Sequence, residues 1–124
     1  MNVSMLRTKL HRATVTGADL NYEGSVSICP DLIKASGLLI NEKVDIYNCN
    51  NGARFSTYVI KGKKGEICLN GAAARHVQKG DLVIIVSYCG LSFEEAQKHE
   101  PTVIFVDEKN RIKEKRKESR KNNK

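Results

Sequence analysis

No segment of this chain is apolar for long enough to cross a bilayer as a helix. The longest uninterrupted aliphatic run is Leu82 to Val86, against the roughly 20 residues that a spanning helix needs. Met1 to Leu10 carries Arg7 and Lys9 and has no apolar signal core, so no export is expected and a cytoplasmic protein is. The four cysteines, Cys29, Cys49, Cys68 and Cys89, stand about twenty residues apart and form no C-x-x-C pair, and no histidine lies near one in sequence. Structural zinc is therefore not indicated, and reduced, partly buried thiols are expected. There is no H-E-x-x-H, no P-loop and no G-x-G-x-x-G, so metal and nucleotide sites lack their usual signatures.

One sign of charge is not in excess where the core must form. The net charge is +7 over 124 residues, but residues 1–108 hold 12 Lys/Arg and 12 Asp/Glu. Residues 109–124 hold nine basic residues against Glu114 and Glu118, which accounts for the whole excess. A neutral domain of about 108 residues with a basic, solvated and mobile tail follows. With aromatics at only 6 %, pairs that could stack on bases are scarce, so nucleic acid is not the expected partner. The alternative is a noncatalytic β-barrel binding module whose basic tail contacts RNA or DNA, with strong salt dependence.

Short β-rich runs separated by turn signals dominate the pattern. Strands are predicted over Leu6–Thr16, Ser25–Ile28, Lys43–Asn48, Arg54–Ile60, Glu66–Leu69, Leu82–Ser87 and Thr102–Val106. Asn50-Asn51-Gly52 marks a hairpin turn. Pro30 opens a helical turn that Gly37 stops, and Ser92-Phe93-Glu94-Glu95 fits a capping box. Many short strands with only helical turns between them point to a mainly β chain, a small barrel that closes its own edges.

Gly24-Ser25 is an ordinary turn dipeptide in isolation, yet it can carry one particular chemistry. A serine hydroxyl can attack the preceding carbonyl, which a glycine leaves open and whose strain a glycine tolerates. The ester so formed can eliminate to a dehydroalanine, which hydrolyses to a pyruvoyl group at a new N-terminus. Such a ketone is an electron sink able to condense with a substrate amine, as pyridoxal phosphate does.

The surrounding blocks decide whether that chemistry applies. Lys9-Leu10-His11-Arg12, Tyr22-Glu23-Gly24-Ser25, Arg54-Phe55-Ser56-Thr57-Tyr58 and Asn70-Gly71-Ala72-Ala73-Ala74 resemble, in residues and in spacing, the pyruvoyl-dependent aspartate 1-decarboxylases, over about Met5 to Val106. The resemblance implies a double-psi β-barrel, cleavage between Gly24 and Ser25, and conversion of L-aspartate to β-alanine and carbon dioxide for pantothenate and coenzyme A biosynthesis. It implies a pyruvoyl cofactor derived from Ser25, with no metal and no pyridoxal phosphate. It also implies a homotetramer whose sites lie between subunits; a separate maturation factor is an open partner.

Residue by residue, the resemblance makes Ser25 the nucleophile and cofactor precursor, with Gly24, Thr57 and Asn70 serving processing. Thr57 would contact the Gly24 carbonyl, where oxyanion charge develops. Arg54 would bind a substrate carboxylate through its planar fork, and Lys9 would bind and position the same ligand. Tyr58 would donate the proton to Cα. Gly71, Ala72 and Ala73 would let backbone N–H groups approach the substrate. His11 and Tyr22 are weaker candidates for placing substrate or lining the pocket, whereas His76 and His99 read as surface residues. Tyr47 stands where many relatives have tryptophan. A pyruvoyl enzyme acting on another acidic amino acid, such as glutamate, fits the same cations.

Overall fold

A computed structural model describes residues 1–118 and places nine strands. They are β1 Asn2–Thr14, β2 Gly17–Asp19, β3 Ser25–Ile28, β4 Lys43–Asn48, β5 Arg54–Lys61, β6 Ile67–Asn70, β7 Leu82–Ser92, β8 Thr102–Val106 and β9 Ile112–Lys117. Two short helices, α1 Pro30–Ser36 and α2 Phe93–Lys98, and a 3-10 helix at Gly71–His76 fill the gaps. The strands run β2-β6-β3-β5-β4-β7-β1-β8-β9. Pairing is antiparallel except at β1/β8, β2/β6 and β3/β5. The chain is mainly β, in keeping with a small barrel. Among the described residues no helix is long and apolar enough to cross a membrane.

Local chemistry accounts for the well-defined boundaries. Pro30 starts α1, and Gly37 ends it in a left-handed conformation (φ 79°) that returns its N–H to Ile33. The β4–β5 turn is closed from within: the Asn48 carboxamide accepts from Asn50 N–H and the Asn51 carboxamide from Ala53 N–H, each at 2.8 Å. Ser92 and Glu95 form the reciprocal capping box that opens α2. β1 is long because it bends, with register shifts at Leu6/Thr8 and Leu10/Ala13 and a positive φ of 61° at Arg12. Those irregularities let one strand pair with β7 on one side and β8 on the other.

The interior is aliphatic. Leu10, Val26, Ile28, Leu32, Val44, Ile46, Val59, Ile67, Leu69, Ile85 and Ile104 are almost wholly removed from solvent, each contributing roughly 1.5–3 kcal/mol. All four cysteines are free; Cys29 is buried and Cys68 and Cys89 partly so, but Cys49 is exposed, against expectation.

The basic tail is corrected in its first half. Ile112–Lys117 is an edge strand, paired antiparallel with β8 from Thr102↔Lys117 to Val106↔Ile112. All six of its residues are exposed, so no apolar alternation announced it, and a lysine-rich edge discourages further pairing. Asn110 fixes the turn before it. Its amide donates to the Thr14 and Gly65 carbonyls at 2.8 and 3.0 Å, and its oxygen accepts from Thr14 N–H at 2.7 Å. The sheet therefore extends past residue 108; residues 119–124, the rest of the predicted tail, lie outside the described residues.

Candidate active site

β3 is four residues long and buried throughout, held between β6 (Ser25↔Asn70) and β5 (Val26↔Val59). Ser25 is 1 % exposed. Its hydroxyl donates to the Glu23 carbonyl at 3.0 Å and accepts from the Asn70 amide at 3.0 Å. The same amide donates its second proton to the Ser27 hydroxyl, also at 3.0 Å. The Asn70 oxygen accepts from the Cys68 thiol at 3.4 Å. Burial, with Glu66 and Asp19 adding, pushes the Cys68 thiol pKa up, so it stays protonated and able to donate. With its oxygen so engaged, the carboxamide turns its N–H pair toward the serines.

Gly71 closes the other side of the loop before Ser25. It has φ +69°, and a Cβ there would lie 2.7 Å from both Cα and N of Gly24 and 3.1 Å from the Tyr22 carbonyl. Only glycine fits such an approach without backbone movement. At Gly24 φ is not left-handed, and, its chain neighbours aside, a Cβ on it would meet nothing within 4 Å. The close contact that requires glycine is thus at Gly71. The Asn70 side chain makes no cap to the 3-10 helix that follows, because it is committed to Ser25 and Ser27. Ala72 is exposed and Ala73 packs against the core.

The second group of residues lies on the outer face of the sheet. Alternation along β5 turns Arg54, Ser56 and Tyr58 outward, while Phe55 and Thr57 are half-buried and Val59 buried. The Arg54 guanidinium lies 4.0 Å from the ring centroid of its cross-strand partner Tyr47. The Tyr47 and Tyr88 hydroxyls are hydrogen-bonded at 2.9 Å. That bond, with burial, pushes the Tyr47 pKa up to about 12, so the ring stays a neutral phenol under the cation. Arg54 makes no ion pair among the described residues, and a cleft of about 180 Å³ opens beside it, lined by Asp45, Tyr47, Phe55 and Ser56. Lys9 occupies the cross-strand row Lys9–Val86–Asp45–Ser56 on the sheet.

Comparison with known proteins decides the family. The family model described as aspartate decarboxylase matches residues 1–113. The chain belongs to the aspartate decarboxylase family. It is 87 % identical, over the full length of both chains, to the aspartate 1-decarboxylase of Bdellovibrio bacteriovorus. It is 60 % identical to that of Campylobacter concisus, covering 90 % of this chain and 97 % of the relative. Identity to the Caldicellulosiruptor bescii enzyme is 57 %, covering 90 % and 89 %.

Within one chain of this family member, the sequence-predicted residues fall into two clusters. Ser25, Asn70, Gly71 and Gly24 form one. β3 and β5 pair in parallel from Val26↔Val59 to Ile28↔Lys61; Ser25 and Gly24 precede that register on one strand, as Tyr58 and Thr57 do on the other. Tyr47 and Arg54 form the other cluster, and Lys9 lies apart from both, across the sheet. Arg54 is four residues from Tyr58, about 13 Å along the strand, and Lys9 is three strands from Ser56, about 14 Å. His11 joins neither. It packs edge-on to Phe105 (centroids 5.3 Å) and lines a separate cleft with Arg12, Thr14 and Lys113. Burial, then Lys9, Arg12 and Arg116, lowers its pKa. Tyr22 is exposed, with its carbonyl against Gly71. Sequence reasoning missed Ser27, Cys68 and Tyr88; only the Ser25↔Asn70 and Ser27↔Cys68 register and the Tyr47–Tyr88 contact reveal them. Among the described residues no group of three or more His, Cys, Asp or Glu is placed to hold a metal ion.

Proposed function

We propose that this chain is a self-processing, pyruvoyl-dependent decarboxylase that converts L-aspartate to β-alanine and carbon dioxide, supplying pantothenate and coenzyme A biosynthesis. The observation that carries this reading is the buried Ser25 hydroxyl, held by the Glu23 carbonyl and the Asn70 amide, where Gly71 packs on the Gly24 backbone as only glycine can. Attack of Oγ on the Gly24 carbonyl closes a five-membered ring and breaks the C–N bond; the nitrogen takes the hydroxyl proton, leaving an ester. Loss of the Ser25 α-proton then expels the Gly24 carboxylate from Cβ. Water replaces the nitrogen, which leaves as ammonia, and a ketone remains.

The residues around Ser25 fit that group: the position heads a buried strand, and its carboxamide neighbour offers N–H donors. Once formed, the pyruvoyl group supplies an electron sink for the pair left when carbon dioxide departs. The chain's own side chains do the rest. Arg54, stacked on a neutral Tyr47 and without an ion pair, holds the carboxylate that stays, with Lys9 as a second cation. Thr57 contacts the Gly24 carbonyl during processing, and Tyr58 delivers a proton to Cα. Gly71, Ala72 and Ala73 offer backbone N–H groups without side chains to block approach. Among the described residues the Ser25 hydroxyl bonds only to Glu23 and Asn70, and neither Arg54 nor Lys9 reaches it by a hydrogen bond within one chain. This supports a homotetramer in which one subunit's cations face a neighbour's Ser25.

Intact mass tests the reading directly. Cleavage after Gly24 releases 24 of the 124 residues of a 13.8 kDa chain, a piece of about 2.7 kDa, and the larger piece carries a borohydride-reducible ketone in place of an N-terminal amine. A single uncut chain in fully active protein overturns it. Gly71→Ala is expected to slow cleavage roughly 5–150-fold, because Cβ displaces the Gly24 backbone and adds about 1–3 kcal/mol of strain; a mass-spectrometric time course measures it. Arg54→Lys is expected to cleave normally but turn over aspartate roughly 10–100-fold more slowly, since a point charge replaces a bidentate fork worth about 1.5–3 kcal/mol. Wild-type kcat and KM in the cleaved variant would remove Arg54 from the site.

A further inference from the structure

A second cleft lies apart from the site described above. A cleft of about 680 Å³ opens at the far end of β3 from Ser25, between α1, the Lys64–Gly65 turn and the segment that enters β9. Its rim carries Lys34, Lys64, Lys109, Arg111 and Lys115, opposed only by Asp31, while Cys29, Ala35 and Ile112 give it apolar surface. Arg111 is paired with Asp107 at 3.0 Å. The ammonium groups of Lys34, Lys64, Lys109 and Lys115 make no ion pair or hydrogen bond among the described residues. None of the residues assigned to processing or to aspartate lines this space.

We infer that this cleft is a binding site for a small organic polyphosphate, an anion of two or three phosphates on an apolar or aromatic body. Four unpaired ammonium groups around one concavity repel one another, and an anion of high charge relieves that repulsion at every rim position at once. Lysine recognises phosphate as a point charge and needs no glycine-rich loop, so the absence of a P-loop does not count against the site. The volume falls in the range of about 300–1,000 Å³ typical of small-molecule pockets and is far larger than a lone phosphate requires. The exposed Ile112 and the half-buried Ala35 offer the apolar body a surface to cover.

The test uses the full-length cleaved protein, titrated calorimetrically in about 0.15 M salt with ATP, tripolyphosphate, adenosine and a short single-stranded RNA as separate probes. ATP is expected to bind with a Kd below about 0.1 mM, tripolyphosphate at least roughly tenfold more weakly, and adenosine more weakly still. Lys64→Gln/Lys115→Gln is expected to weaken ATP binding roughly tenfold, as two partly exposed charge contacts should. Lys79→Gln/Lys98→Gln removes the same charge outside the cleft and is expected to bind ATP as the wild type does; thermal melting without ligand checks that both variants fold. Lys64→Gln alone, with a loss of roughly threefold, serves if the double variant does not. The inference is overturned by no ATP binding below about 1 mM, by equal losses in the two double variants, by tripolyphosphate binding as tightly as ATP, or by RNA binding more tightly than ATP.

Discussion

Ser25→Ala is expected to yield one uncut chain of 13.8 kDa with no measurable decarboxylation. The substitution removes the only atom that can form the ester, and with it the oxygen that must leave Cβ for the ketone to appear. It does little to the fold. The side chain is small and buried, β3 keeps its pairing with β5 and β6, and the Asn70 amide keeps one of its two acceptors, Ser27. The lost hydrogen bond costs about 1–3 kcal/mol, within what a single domain tolerates. Far-ultraviolet circular dichroism and thermal melting should therefore show a folded variant, so that the absence of cleavage reads as chemistry. Asn70→Ala is the informative companion. It leaves the nucleophile but removes the donor that holds it, so cleavage should persist at a reduced rate. A Ser25→Ala protein that still separates into two pieces would remove the hydroxyl from the mechanism.

What the sequence made legible and what it hid divide along physical lines. β4 and β5 were readable because Lys43–Asn48 and Arg54–Lys61 alternate in exposure about a turn with its own side-chain closure. α1 and α2 were readable because Pro30, Gly37 and the Ser92–Glu95 box are local signals. β2 and β9 were not. Gly17–Asp19 is three residues held by a parallel neighbour, and Ile112–Lys117 is an edge with all its side chains in water. β7 runs to Ser92 because Asn2 to Leu6 pairs with its second half, a partnership that no local pattern encodes. The site divides likewise. Residue types and spacing carried the family motifs Lys9, Gly24-Ser25, Arg54, Thr57-Tyr58 and Asn70-Gly71. The steric need for glycine at position 71 was hidden, because the contact between Gly71 and Gly24 joins residues far apart in sequence. Tyr88 was hidden for the same reason. It faces Tyr47 from β7, and only the hydroxyl–hydroxyl contact shows that Arg54 rests on a phenol pair.

Tyr58→Phe is expected to separate cofactor formation from catalysis. The variant keeps the ring and its place on β5 opposite Lys43, so the strand and its pairing with β3 are undisturbed and cleavage after Gly24 should go to completion. What it loses is one proton, in a position 36 % exposed on the outer face, on the strand that pairs with β3. A positioned proton donor is typically worth about 10²–10⁴-fold, so β-alanine release should fall by that factor while aspartate still binds. Exposure on this face in one chain sets the condition for such a donor. A phenol in water competes with solvent for the same proton transfer, and the larger deficit is expected only where a neighbouring subunit covers Tyr58 and shuts water out. The assay is product formation normalised to ketone content, because an undercleaved preparation imitates a chemical defect. Measuring the same ratio across protein concentration separates the two contributions: a deficit present only in the assembled form ties Tyr58 to a site built between subunits. Normalised turnover within a few-fold of wild type in the assembled enzyme would return Tyr58 to a packing role and leave the proton to come from elsewhere.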